Sequence, residues 1–242
     1  MKKVLITGGT RGIGAACVRE FSKNGYEVAF SYRSRSDLAE ALKRELAGVG
    51  PVHGYFCDLS DFSSVKQLAN DVENQLGGID ILINNAGVDS YGLVQDATEE
   101  EYERVFDTNF KGAFFLTSAL IPSMIRNHWG RIVNISSVWG QAGASCEVLY
   151  SSAKAALIGF TKALGKELAP SLITVNCICP GVIETDMLNR FSASERKGIL
   201  DEIPTMRFGK PCEIAESALF LSKDSAAYIT GQILGVNGGF YC

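Results

Sequence analysis

Short apolar runs, often β-branched, alternate along this chain with longer stretches in which apolar positions recur every three or four residues. The runs at 3–7, 27–32, 52–57, 79–84, 130–136, 172–178 and 232–236 predict strands buried on both faces. Amphipathic patterns near 12–24, 36–47, 61–76, 99–126, 149–169 and 211–222 predict the helices between them. Such alternation predicts parallel strands joined by right-handed crossovers, a doubly wound α/β sheet of about seven strands with helices on both faces. No linker, repeat or low-complexity segment interrupts it, so a single domain over 1–242 is expected. The rhythm fails over 182–210, where Phe191, Ile199, Leu200, Met206 and Phe208 fall irregularly among small and polar residues. Directly after a strand end, such a segment reads as a lid over a site, with a plain surface excursion as the alternative.

Composition narrows the class. A chain of 242 residues with 46% hydrophobic content and a formal charge of −4 has the make-up of a soluble globular protein. No apolar run reaches membrane-span length, and the first strand begins almost at Met1, so no membrane association and a cytoplasmic location are expected. Mild acidity gives no support for nucleic-acid binding. The seven cysteines (17, 57, 146, 177, 179, 212 and 242) are scattered and odd in number, without disulfide or zinc-ligand spacing. Cys177 and Cys179 share one face of a predicted strand, as small buried hydrophobes. With only His53 and His128 besides, no catalytic metal is expected.

Two motifs carry chemistry. Gly8-Gly9-Thr10-Arg11-Gly12-Ile13-Gly14 joins the first strand to the first helix. Glycines there let the backbone approach a pyrophosphate, and the helix N-terminus offers free N–H groups. The spacing of Gly8, Gly12 and Gly14 is Gly-x-x-x-Gly-x-Gly, which differs from the general dinucleotide fingerprint and is also compatible with an ordinary tight turn. The second motif is Tyr150-Ser151-Ser152-Ala153-Lys154, with Ser137 upstream. Four residues make about one helical turn, so Tyr150 and Lys154 project from one helix face. An ammonium beside a phenol favours the phenolate and lowers a pKa normally about 10, as acid–base work near neutrality requires. Taken alone, Tyr-x-x-x-Lys also occurs by chance on surface helices.

Together with Asn84-Asn85-Ala86-Gly87 and Pro180-Gly181 at later strand ends, these motifs resemble the short-chain dehydrogenase/reductase family from Val4 to Gly239. Residues 181–187 (GVIETDM), Ala227-Tyr228-Ile229-Thr230-Gly231 and Val236-Asn237-Gly238-Gly239 look most like its β-ketoacyl-[acyl-carrier-protein] reductase branch. The resemblance implies a Rossmann-like strand order with the cofactor across the carboxyl ends of the strands. It implies a catalytic group of Asn109, Ser137, Tyr150 and Lys154. Ser137 would donate to a substrate carbonyl and Tyr150 would protonate the developing alkoxide. Lys154 would bind the nicotinamide ribose, and Asn109 would support a water leading from Lys154 to solvent; Asn109 also fits a bent helix with local hydrogen bonds. Ser136 would point the opposite way along the strand.

By the same resemblance Gly8, Thr10, Arg11, Gly12, Ile13 and Gly14 would cradle the pyrophosphate. Asp58, with Leu59, would hold the adenine amino group. Asn85, Ala86 and Gly87 would line the adenosine, and Pro180, Gly181, Ile183 and Thr185 the nicotinamide. Tyr32 stands where similar NAD users carry aspartate, and Arg33 follows it. With Arg11 in reach, this favours the 2′-phosphate of NADP(H), although Arg33 and Arg35 also read as solvated loop charges.

The fold does not choose a substrate. The whole-chain match points to acyl carrier protein as the partner that presents a β-ketoacyl thioester, and Arg126, Arg131, Lys162 and Lys166 offer cations for that acidic protein. Against this, His128 and Ser171 stand where arginine is expected in carrier-binding relatives. Trp139 and Glu147, in the loop between Ser137 and Tyr150, are unusual for a pocket built only for acyl chains. That stretch is similar to reductases of an aminopentanone modification on a lysine of elongation factor P, where Glu147 would meet a cation; a solvated carboxylate is the alternative. A dinucleotide-binding interaction module without turnover is a third reading. Apolar clusters at Phe110, Phe114, Phe115 and Leu116 and at Leu157, Ile158 and Phe160 suit helices buried on more than one side. By resemblance that means a homotetramer formed through the long helices near 99–126 and 149–169 and the C-terminal segment; helices sandwiched within one subunit are the alternative.

Overall fold

Seven parallel strands form one sheet in the computed structural model, which describes residues 1–186, 188 and 191–242. They are β1 (Lys3–Ile6), β2 (Glu27–Tyr32), β3 (Val52–Phe56), β4 (Ile81–Asn84), β5 (Gly130–Ile135), β6 (Ile173–Pro180) and β7 (Ile233–Val236), in the order β3-β2-β1-β4-β5-β6-β7. The helices between them are α1 (Gly12–Lys23), α2 (Ser36–Leu46), α3 (Phe62–Leu76), α4 (Glu99–Phe106), α5 (Gly112–Arg126), α6 (Val138–Ala142), α7 (Val148–Leu168), α8 (Ala193–Asp201) and α9 (Pro211–Leu221).

The pleat sends alternate strand residues to opposite cores. Val4 and Ile6 pack with α1, α2 and α9 on one face, whereas Leu5 packs with α3, α5 and α7 on the other. Every residue of β4, β5 and β6 is buried, which is why these strands read as continuous apolar runs. Strand order reverses at β1, which pairs with both β2 and β4. The crevice beyond the carboxyl ends of β1 and β4 is therefore the place where such sheets bind ligands.

The structure differs from the sequence reading in three places. The stretch 99–126 is two helices, joined through a π-helical turn at Asp107–Lys111. Helix α6 was not expected, being only five residues long and too short to show a period. The irregular stretch 182–210 contains α8, started by a capping box in which Ser192 and Glu195 exchange hydrogen bonds. Of the expected lid, Met187, Asn189 and Arg190 lie outside the described residues. The segment leaves and returns at one point: Gly209 N–H donates to the Val182 carbonyl at 2.9 Å, and Glu184 N–H to the Gly209 carbonyl at 2.8 Å. Among the described residues no helix is long and apolar enough to cross a membrane.

Candidate active site

The β1–α1 turn is shaped by close backbone packing. Gly8 and Gly12 hold φ of +67° and +52°, conformations that a side chain disfavours. A Cβ on Gly14 would stand 2.0 Å from the Gly8 carbonyl oxygen, so only glycine lets α1 start this close to the loop. Gly9 N–H donates to the Ser31 carbonyl at 2.9 Å, which seats the loop on β2. Thr7 fastens it to β4: its buried hydroxyl oxygen accepts the N–H groups of Asn85 at 2.9 Å and Ala86 at 3.0 Å. The Asn85 amide donates to the Thr7 carbonyl at 2.9 Å. The sequence reading passed over Thr7; its signal was a hydroxyl at the last position of an otherwise apolar run.

The other cofactor candidates lie at the carboxyl ends of β2, β3, β4 and β6, with Thr10 and Ile13 inside the turn. Arg11 occupies the N-cap position of α1. Tyr32 is half-buried at the end of β2 against Phe56, and Arg33 follows, exposed. Arg35 is instead committed to Asp37, through hydrogen bonds of 2.9 and 2.7 Å. Asp58 accepts from the Ser60 N–H at 3.0 Å and the Ser60 hydroxyl at 2.7 Å, which fixes its carboxylate after β3. Leu59 is buried against the start of α5, where a Cβ on Gly112 would lie 2.4 Å from its carbonyl oxygen. Pro180, the last residue of β6, and Ile183 beyond it are buried, and Gly181 lies against Asn237. Thr185 reaches the glycine turn, with its Cγ2 3.2 Å from where a Gly12 Cβ would be.

The second cluster lies beyond β4 and β5. Ser137 is the N-cap of α6; its oxygen accepts the Trp139 N–H at 3.1 Å, which leaves the hydroxyl proton to be donated elsewhere. Ser136 turns away, donating to the Lys154 carbonyl at 2.7 Å. Tyr150 and Lys154 stand one turn apart on α7, with the Lys154 nitrogen 5.8 Å from the Tyr150 ring centre. Lys154 is only 4% exposed and donates to the Ile135 carbonyl at 2.8 Å. Burial pulls its pKa down from 10.5 to about 8.

Asn109 sits in the π-helical turn, an inserted residue of a kind that recurs at functional sites. Its side-chain amide closes a ring with Val88, accepting from the N–H at 2.7 Å and donating to the carbonyl at 2.8 Å. A Cβ on Gly87 would lie 3.1 Å from Asn109 Oδ1 and 3.2 Å from Lys154 Nζ, so Gly87 separates the two by a single side chain's width. The sequence reading set Gly87 beside the adenosine and did not foresee its place between Asn109 and Lys154.

A buried polar chain supports this end of the sheet. Asn84 donates to Thr117 Oγ1 and to Asn134 Oδ1, both at 2.9 Å, and Asn134 donates to Thr161 Oγ1 at 2.8 Å. It ties β4 and β5 to α5 and α7. The sequence reading missed it because Asn84 and Asn134 mark only strand ends until β4 and β5 are paired.

The chain matches the short chain dehydrogenase family over residues 2–196 and belongs to it. It is 40% identical over 243 residues to the uncharacterized oxidoreductase YmfI of Bacillus subtilis (strain 168), covering 100% of this chain and 99% of that protein. It is 39% identical over 241 residues to the 3-oxoacyl-[acyl-carrier-protein] reductase FabG of Staphylococcus aureus (strain N315), at 99% and 98% coverage. The FabG of Aquifex aeolicus (strain VF5) is 41% identical over 242 residues, at 99% and 97%. The protein is accordingly an oxidoreductase of a family that uses a nicotinamide dinucleotide. The close-packed glycine cradle at the switch point suits that group.

Proposed function

We propose that this protein is an NADPH-dependent ketone reductase whose substrate is a 3-oxoacyl thioester, carried on acyl carrier protein. The observation that carries the reading is buried Lys154 one turn from Tyr150, its nitrogen donating to the Ile135 carbonyl at the end of β5, two residues before Ser137. The names and full-length coverage of the FabG relatives support the thioester.

When bound, NADPH supplies the hydride. The chain's own residues do the rest. Ser137 directs its hydroxyl proton to the substrate carbonyl oxygen, and Tyr150 delivers a proton to that oxygen as it becomes an alcohol. Lys154 holds the ribose and sits beside Tyr150. Asn109 keeps the π-helical turn in place against Val88, on the route from Lys154 to solvent. Arg33 and Arg11, with Tyr32, would hold the 2′-phosphate, Asp58 and Leu59 would hold the adenine, and Asn85 to Gly87 would line the adenosine. Residues 182–210 act as the lid, hinged where Val182 and Gly209 pair. The chain acts as one domain in the cytoplasm. It assembles as a homotetramer through the aromatic surface of α4, α5 and α7, where Tyr102, Phe114 and Phe115 are exposed.

One observation favours a second substrate, the aminopentanone group on elongation factor P. Glu147 is a buried carboxylate at the N-cap position of α7, one turn before Tyr150, an acidic group on the same element as the proposed proton donor. Following NADPH and NADH consumption with acetoacetyl-CoA tests the first reading. NADPH-linked turnover is expected. Turnover of modified elongation factor P alone moves the assignment to the second substrate, and nucleotide binding without turnover of either sinks both.

A further inference from the structure

The last six residues do not trail into solvent. After β7 the backbone turns through Gly238 and Gly239, both left-handed at φ +64° and +81°. Asn237 pins the turn from inside: its Nδ2 donates to the Tyr241 carbonyl at 2.7 Å and its Oδ1 accepts the Gly239 N–H at 3.0 Å. The Thr205 N–H, at the base of the 182–210 segment, donates to the Gly238 carbonyl at 3.2 Å. A Cβ on Gly181 would lie 2.8 Å from Asn237, so the turn is wedged against the residue that follows β6.

This turn delivers Phe240 onto Trp139, with ring centres 5.4 Å apart and planes at 69°, an edge-to-face pair. Trp139 is two residues past Ser137 and gives its backbone N–H to the Ser137 hydroxyl. Phe240 is half-buried while both of its neighbours are exposed. The ring pair thus joins the Ser137 turn to residues 237–242, and the Thr205 bond ties those residues to the base of the 182–210 segment.

We infer that Trp139 and Phe240 together form the wall that limits the acyl side of the substrate, with Phe240 a specificity-determining residue acting through Trp139. This rests on the carbonyl-reductase reading of Ser137 and Tyr150. The indole follows the serine by two residues and is backed by the Phe240 ring, so the wall selects short 3-oxoacyl groups over long ones. Trimming Phe240 lets the indole swing back and opens room for further methylenes.

The test compares kcat/KM for acetoacetyl-CoA and 3-oxooctanoyl-CoA, and for the ethyl esters of the same two acids, in the full-length wild type, Phe240→Ala and Phe240→Leu. The expected result for Phe240→Ala is a shift of about tenfold or more toward the longer substrate, which is four methylenes longer, since even one methylene carries that much discrimination in an apolar pocket. Phe240→Leu should restore much of the original ratio, and NADPH affinity should be unchanged. An unchanged ratio overturns the inference. So does an equal fall for both lengths accompanied by a lower Tm, which would mark the pair as purely structural. If the wild type reduces the esters but neither thioester, the thioester reading fails while the ester ratio still judges the wall. Inactivity on both series overturns both.

Discussion

At the residue scale, the site turns on a few atoms whose chemistry is set by burial. Tyr150→Phe removes only a hydroxyl, so NADPH binding should persist while kcat falls by about 10²–10⁴, the usual worth of a positioned acid. A variant that keeps wild-type turnover removes Tyr150 from the mechanism. Arg33→Ala should raise KM for NADPH about tenfold or more with little change for NADH, since a charge-assisted hydrogen bond to phosphate contributes about 1.5–3 kcal/mol. Equal changes for both cofactors sink the 2′-phosphate assignment. Lys154 has a pH signature of its own. Its pKa falls from 10.5 to about 8 because burial disfavours the ammonium. Between those two values the unfolded chain holds a proton that the folded protein has released, so this group makes stability rise with pH across that window. Urea unfolding of the cofactor-free protein from pH 8 to 10 should show the rise, and Lys154→Met should flatten it. An identical slope in the two proteins assigns the pH dependence to other groups.

At the scale of elements, the polar chain from Thr117 through Asn84 and Asn134 to Thr161 holds the sheet end to its helices. Asn134→Leu removes two buried hydrogen bonds, while the Asn84 amide keeps Thr117 and the Thr161 hydroxyl keeps the Leu157 carbonyl. It should cost about 0.5–1.5 kcal/mol for each bond lost, read as a lower urea midpoint. A loss below half a kcal/mol would mean that the chain adapts. The split of 99–126 into α4, a π-helical turn and α5 matters for the same region, because the turn brings Asn109 to Val88. Helix periodicity could not show the extra residue: apolar spacing on either side stays close to the α-helical repeat. The capping box of α8 was visible as Ser192 followed by Glu195 and was passed over for want of an apolar face, since no described residue of that helix is buried.

At the scale of the molecule, Phe62, Phe110, Phe114, Phe115 and Phe160 form one aromatic cluster running from α3 across the π-helical turn and α5 to α7, with ring centres 4.8–6.1 Å apart. Phe62 remains 45% exposed, Phe114 40% and Phe115 38%. Exposed aromatic surface of this kind marks an interaction site. Light scattering should give the mass of a tetramer for the wild type and a smaller species for Phe114→Glu with Phe115→Glu. A monomeric wild type rules the interface out.

What the sequence determined by itself was local and periodic. Strand runs, helix faces, the glycine turn and the Tyr150–Lys154 pair all lie within a few residues of one another, so short-range sterics and burial write them directly into the chain. The order of strands, the meeting of Thr7 with Asn85, the approach of Gly87 to Asn109 and Lys154, and the packing of Phe240 on Trp139 were decided only by tertiary structure. Each joins segments far apart in the chain, and parallel crossovers leave no short-range signal of which strand end will become a neighbour.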